Sequence, residues 1–197
     1  MRAKALILAV IFSALAGIAS GAAKEQEYTP VKPSEWLSSH FKQGGAPPFS
    51  FKYDGKDSAS FIRNWAYGHQ EKALDANRTQ HTYTYTDPAT KLRITVDAIE
   101  YKDFSAVEWV MHIKNESDTA SPLIEDFQAL DTVFSSATKS RFMLHHAFGS
   151  DVTRQDFAPM NTPLRSVDAI SFKPNGGRPS DIEAFPFFNL EAQPFGG

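Results

Sequence analysis

From Pro48 onward the chain alternates apolar and polar residues with a period of two, the spacing that sends successive side chains to opposite faces of a strand. "KLRITVDAIEY" sets Leu92, Ile94, Val96 and Ala98 on one face. "SAVEWVMHIKN" does the same for Val107, Trp109, Met111 and Ile113. "HTYTYT", β-branched and aromatic, is joined to the first of these runs by the turn "DPAT", which makes the clearest hairpin in the chain. "FSFKYDGK" is a short strand running into an Asp54-Gly55 turn, and that dipeptide supplies the positive backbone angles of a tight hairpin. Further strand-like runs are "PLIEDFQALDTVF", "RFMLHHA", "SVDAISF" and "FPFFNLE", divided by "ESDTAS", by the long loop "GSDVTRQDFAPMNTPL" and by "KPNGGRPS", while "NWAYGHQ" reads as irregular. No run of helical period is long enough to cross between parallel strands. The pattern therefore predicts an all-β fold, a large antiparallel β-sandwich spanning residues 48–197 and incomplete at its C-terminal edge. Nothing repeats at a fixed period, which disfavours a propeller or solenoid.

Before Pro48 the pattern is different. Arg2 and Lys4 precede an apolar run from Ala5 to Ala19 and the small residues Ala19-Ser20-Gly21-Ala22-Ala23, the order of a secretory signal peptide over residues 1–23. The apolar run is short for a membrane span, so no stable anchor is expected and the product is exported, to the periplasm or beyond. Residues 24–47 read as a polar, proline-broken lead-in anchored by Trp36 and Phe41, with a helical turn at Pro33 to His40 that Ser34 could cap.

Composition narrows the partners. The net charge of −3 becomes −5 when the cations Arg2 and Lys4 leave with the leader. Such a chain, with no basic run, is a poor match for a phosphate backbone, so nucleic acid is not an expected partner. The absence of cysteine excludes disulfides and thiolate metal sites. Stability must come from burial, and 16 Phe, 6 Tyr and 3 Trp provide the area for it.

Candidate chemistry is sparse. His145-His146 is a pair of strand neighbours that point to opposite faces, so the rings do not meet at one ion, and no metal or cofactor is expected. Glu125-Asp126 and Asp97 with Glu100 show no convergence across a cleft of the kind a sugar-cleaving carboxylate pair needs. No nucleophile elbow, phosphate loop or paired His/Glu helix motif occurs. Asp151, Arg154 and Asp156 sit in a loop too long to be a mere connection, and serve either as turns and surface ion pairs or as ligand contacts. Among the tryptophans, Trp109 belongs to an apolar strand face and is assigned to the core. Trp65, in "NWAYGHQ", is the better candidate for a platform under a sugar.

Taken together, "YKDFSAVEWVMHIKN", "PLIEDFQALD", "LHHAFGSDVTRQDFAPM" and "GGRPSDIEAFPFFNLE" resemble the amino-terminal domain of bacterial alpha-galactosidases and related enzymes of glycoside hydrolase family 36, from about Pro48 to Leu190. The resemblance implies a twisted β-sandwich that precedes a (β/α)8 barrel, the barrel carrying the two catalytic aspartates. Neither aspartate has a counterpart here. It implies a supporting role: a non-catalytic part of a secreted alpha-galactosidase-like hydrolase, bracing the barrel and shaping its pocket, inactive alone, with an alpha-galactoside or other oligosaccharide as the ligand. The "GGRPSD" segment would lie near the mouth of the barrel, where Pro179-Ser180-Asp181 replaces the usual small-polar-His pattern. The candidate substrate contacts are Trp65 and Asp151, from the reading of the residues themselves, and Arg178 and Asp181, from the segment the resemblance sets near the barrel mouth. "FPFFNLE" would be a late strand, and the stop at Gly197 reads as a truncation that leaves apolar edges exposed and solubility poor. The alternatives are a freestanding carbohydrate-binding module without hydrolase activity and a purely structural secreted domain. An oligomeric state, a homo-oligomer included, is not legible from the sequence.

Overall fold

The computed structural model describes residues 7–11, 31–135, 140–165, 168–172 and 185–194. They fall into two units, Met1–Thr132 and Val133–Gly197. Both are built of antiparallel strands, so the all-β expectation holds. Among the described residues no helix is long and apolar enough to cross a membrane.

In the first unit, α1 (Pro33–His40) opens with proline at its first turn, where a missing N–H costs nothing. The cap position is Lys32, with extended backbone and no side-chain hydrogen bond, so Ser34 lies inside the helix rather than capping it. One face of α1 buries Trp36 and Leu37, and Phe41 follows them into the core. The expected lead-in is thus an integral layer of this unit.

β2 (Ser50–Tyr53) and β3 (Lys56–Asp57) form the tight hairpin read from the sequence, with Asp54 at φ 52° and Gly55 at φ 71°. Two 3-10 turns, Ser58–Ser60 and Ile62–Asn64, lead into β4 (Ala66–Ala73). β5 (Arg78–Thr86), β6 (Leu92–Tyr101), β7 (Ala106–Asn115) and β8 (Ile124–Gln128) follow. Residues Ile7–Ile11, inside the expected leader, run as a strand, β1, paired antiparallel with β7 from Ile7↔Val110 to Ile11↔Ala106. The larger sheet has the order β1-β7-β6-β5-β4, and the smaller one β3-β2-β8.

The β5–β6 hairpin turns on Asp87. Its carboxylate accepts the Ala89 N–H at 3.0 Å and the Thr90 hydroxyl at 2.7 Å, while Lys91 takes φ 60° to bring the chain back. On the inner face Tyr83, Tyr85, Leu92, Ile94, Val96, Ala98, Val107 and Trp109 are all buried, in the alternation the sequence displays. The opposing layer supplies Phe49, Phe51 and Tyr53 around β2 and Ala129 beyond β8, with Phe127 packed against them. Phe49 meets Tyr85 edge-on at 5.6 Å, and Trp36 of α1 stacks on Trp109 at 5.6 Å. Half of the core residues are aromatic, and the core lies between the larger sheet and a cover made of α1 and the β2–β8 layer.

β4 is not marked as a strand by the sequence pattern. It has no apolar stripe because it is an edge strand exposed along most of its length, and it is held by pairing with β5 from Ala66↔Thr86 to Ala73↔Thr79.

In the second unit, β9 (Ser140–Ala147) lies between β10 (Pro159–Leu164) and β11 (Asn189–Pro194), both antiparallel to it. β10 falls in what reads as loop, because Pro159 and Pro163 interrupt the pattern; proline is tolerated there because β10 is an edge. Two expected strands are corrected. Residues 168–172 of "SVDAISF" are not strand, and the last strand begins at Asn189, with Phe185–Phe188 as its approach. In the second case regular pairing with β9 begins at Asn189↔His145, and the approach is tied to it by the Phe185 N–H, which donates to the Ala147 carbonyl at 3.1 Å.

Candidate functional site

Three strands of the larger sheet bring four titratable side chains together beside the core. Glu71 of β4 stands directly opposite His81 of β5, and His69 stands opposite Tyr83. Glu100 of β6 faces Thr79, one diagonal step from His81. Alternation keeps all of them on the core-facing side. His81 is 6% exposed and Glu100 9%, so each of these buried polar groups needs a partner, and they supply one another: His81 Nε2 lies 3.3 Å from Glu100 Oε2. A carboxylate only accepts, so Nε2 of His81 carries a proton toward Glu100, and in the neutral ring Nδ1 is then the lone pair. That lone pair faces His69 Nε2 at 3.3 Å, with Glu71 Oε1 at 3.5 Å from it and 3.7 Å from the His69 nitrogen. Tyr83 stacks on His69 with centroids 4.4 Å apart and planes 8° from parallel, which restrains the ring. Burial lowers the His69 pKa and outweighs the opposing pull of Glu71, while His81 adds to the lowering. At neutral pH the His69 imidazole is therefore uncharged.

Where the larger sheet ends, Asp75, Asn77, Arg78, Tyr101, Asp103 and Phe104 line a shallow groove. Asp75 organises it, accepting the N–H groups of Asn77 and Arg78 and pairing with the Arg78 guanidinium at 2.8 Å. The Phe104 ring is 67% exposed.

The residues singled out from the sequence lie elsewhere. Trp65 is a core side chain rather than a surface platform: it is 8% exposed, stacks on Phe61 at 5.4 Å and closes against Phe51 and Tyr53. Asp151 is exposed in the second unit, where its backbone N–H donates to Asp156. Arg178 and Asp181 lie outside the described residues. Asp97 and Glu100 project from opposite faces of β6, Asp97 bonding Thr82 at 2.7 Å on the outer one. Asp126 pairs with Lys52 at 2.9 Å. His145 and His146 likewise diverge. His145 bonds Asn161 at 2.7 Å and Glu191 at 2.9 Å, whereas His146 bonds Thr162 at 3.0 Å and meets Phe172. The hydrogen bond to Glu191, with that to Asn161, raises the His145 pKa, and the same bond holds Glu191 low.

The loop of the second unit is organised by Asp156. Its carboxylate accepts backbone N–H groups of Asp151 (3.0 Å), Val152 (3.1 Å) and Thr153 (3.0 Å) and the Ser150 hydroxyl (2.7 Å). Those donors, the Thr153 and Asp151 N–H groups foremost, bring its pKa down to about 2. The cradle also holds Val152 at φ 62°, a strained value for a β-branched residue. Because the folded pKa is depressed, this contribution is present above the unfolded carboxylate value and is lost as pH falls through about 2. In a carboxyl NMR titration Asp156 is expected to titrate near that value, and Asp156→Ala to speed amide exchange at residues 151–153 at pH 7. Titration in the ordinary aspartate range, with unchanged exchange in the variant, would contradict the cradle.

The residues that do converge, His69, Glu71, His81 and Glu100, escape sequence reading because "NWAYGHQ" shows no strand pattern. The usable signal is the x-alternation of His69 and Glu71 followed by a turn that brings His81 back across from them. Comparison of the chain with protein-family models, with curated proteins and with solved structures gives no match.

Proposed function

We propose that this chain is the non-catalytic amino-terminal β-sandwich part of an exported alpha-galactosidase-like glycoside hydrolase, where it braces the catalytic barrel and forms part of the wall around the substrate. The reading rests on the ordered blocks that carry the resemblance and is supported by where they fall. "SAVEWVMHIKN" is β7, paired with β6 in the larger sheet, "LHHAFGSDVTRQDFAPM" runs from the end of β9 through the Asp156 cradle to the start of β10, and "FPFFNLE" leads into β11. Export is proposed on the charged, apolar and small-residue order of residues 1–23.

The observation that carries the bracing role is an aromatic surface in the second unit. Phe157, Phe185 and Phe187 pack edge-to-face and tilted, with centroids 5.4 Å and 5.0 Å apart, yet Phe157, Phe187 and Phe188 are 52%, 63% and 58% exposed. A cluster of rings that wide, left open to water, is the surface a second protein body covers. The test is binding of the purified chain to a separately expressed family barrel lacking its own sandwich. Binding is expected, and the double variant Phe187→Ser with Phe188→Ser should weaken it at least about tenfold, as hot-spot aromatics do. No binding, or binding indifferent to both rings, would refute the role.

The exposed Phe104 beside Asn77, Arg78 and Asp103 favours one rival, a sugar-binding module, since an aromatic face flanked by polar groups suits a sugar ring. Galactose or oligosaccharide binding that disappears in Phe104→Ala, with no affinity for a barrel, would select it.

A further inference from the structure

The cluster on β4, β5 and β6 takes no part in the bracing role, and its geometry has a use of its own. We propose that His69 Nε2, His81 Nδ1 and a Glu71 carboxylate oxygen bind one divalent first-row transition-metal ion, zinc foremost, with Glu100 as the positioning residue behind His81. The three donor atoms are separated by 3.3, 3.5 and 3.7 Å. Two ligands of a tetrahedral ion with bonds of about 2.0–2.1 Å stand about 3.3–3.4 Å apart, so the triangle has the size of one tetrahedral face. The point in their plane equidistant from all three atoms lies about 2.0 Å from each, and an ion about 0.6 Å above it, leaving a fourth position open, lies about 2.1 Å from each, the length of a zinc–nitrogen or zinc–oxygen bond.

The sheet builds this triangle before any ion arrives. Two ligands come from one edge strand two residues apart, and the third comes from the residue directly across the ladder from Glu71. Both imidazoles lie nearly parallel to Tyr83, at 8° and 7°, and cannot swing far. Glu100 accepts the hydrogen bond from the Nε2–H of His81, fixing the tautomer that aims Nδ1 at the ion; a buried carboxylate behind a ligating histidine is a common second partner in zinc sites. The ion would take the place of the proton between the two imidazoles, and His69 would stay neutral by carrying that proton on Nδ1 instead.

The donor set chooses the ion class. Two imidazole nitrogens and one carboxylate oxygen suit zinc and its neighbours, whereas calcium and magnesium call for oxygen throughout. The fourth position opens toward solvent at the edge of β4, where the Glu71 side chain is 60% and the His69 side chain 30% exposed. A water or a small oxygen ligand would complete the tetrahedron. The bound ion would clamp the free edge strand to β5.

The test uses the whole chain, stripped with a chelator and titrated with zinc, cobalt and magnesium salts. One zinc per chain is expected, with micromolar affinity or tighter, and cobalt should give the intense visible absorption of a tetrahedral site. His69→Ala and Glu71→Ala should each weaken zinc binding at least about tenfold, and Glu100→Gln by about 10–100-fold while the circular dichroism spectrum is kept. Saturating zinc should raise Tm by roughly 5–10 °C in the parent chain and not in His69→Ala. His69 lies on an exposed edge strand, so that variant keeps the fold and the comparison stays decisive. No stoichiometric zinc, equal binding of magnesium, or full affinity in His69→Ala would overturn the proposal. None of these outcomes bears on barrel binding, so the two readings fail separately.

Discussion

A chain beginning at Pro48 is expected not to fold. The segment it lacks supplies Trp36, Leu37 and Phe41, which are 6%, 1% and 1% exposed. Trp36 stacks on Trp109, Phe41 stacks on Tyr83 at 4.7 Å, and the Phe41 carbonyl accepts the Tyr67 hydroxyl at 2.7 Å. Burying one such side chain is worth about 1.5–3 kcal/mol, so losing three removes roughly 5–9 kcal/mol. That is comparable with the whole stability of a typical domain, about 5–15 kcal/mol. The truncated protein should show no cooperative urea transition and should aggregate through the uncovered face of β5, β6 and β7. A transition with a midpoint near that of the full chain would mean that α1 is an appendage.

The second large effect is expected at the tryptophans. Trp109→Ala removes a ring that is 1% exposed, stacked by Trp36 and edged by Phe41, and should cost about 3–5 kcal/mol. It also deletes the hydrogen bond from Trp109 Nε1 to the Ala129 carbonyl at 3.2 Å, leaving a buried acceptor without its donor. Trp65→Ala separates two readings of the same residue. A sugar platform would leave stability unchanged on substitution, whereas a ring enclosed by Phe51, Tyr53 and Phe61 should cost about 3 kcal/mol or more. Urea unfolding of both variants, with the slope held constant, measures the two costs directly.

The contrast at Trp65 shows what was legible. β5, β6 and β7 announce themselves because each buries one face and wets the other, so every second residue is apolar. Asp54-Gly55 is readable for a different reason, since few dipeptides accept two successive positive φ angles. β4 and β10 carry no such mark. An edge strand can be polar on both faces, as "AYGHQEKA" is, or can hold prolines where no ladder hydrogen bond is needed, as "PMNTPL" does. With β4 read as irregular, Trp65 is free to face outward, and the ladder that sets His69 and Glu71 against His81 has no basis in the pattern. The candidate metal ligands were invisible for that reason, while the adjacent histidines His145 and His146 stood out although the strand sends them apart. The aromatic surface of Phe157, Phe185 and Phe187 also depends on spatial closeness between residues far apart in sequence.

Under the proposed function these residues build a scaffold, and the bond-breaking carboxylates belong to a separate barrel. The most direct measurement is the rate of aryl alpha-galactoside hydrolysis by the purified chain, alone and mixed with a family barrel that lacks its own sandwich. A bracing, non-catalytic chain gives no turnover alone and raises barrel activity on mixing. Hydrolysis by the chain unaided, abolished by replacing two of its own acids, would contradict it.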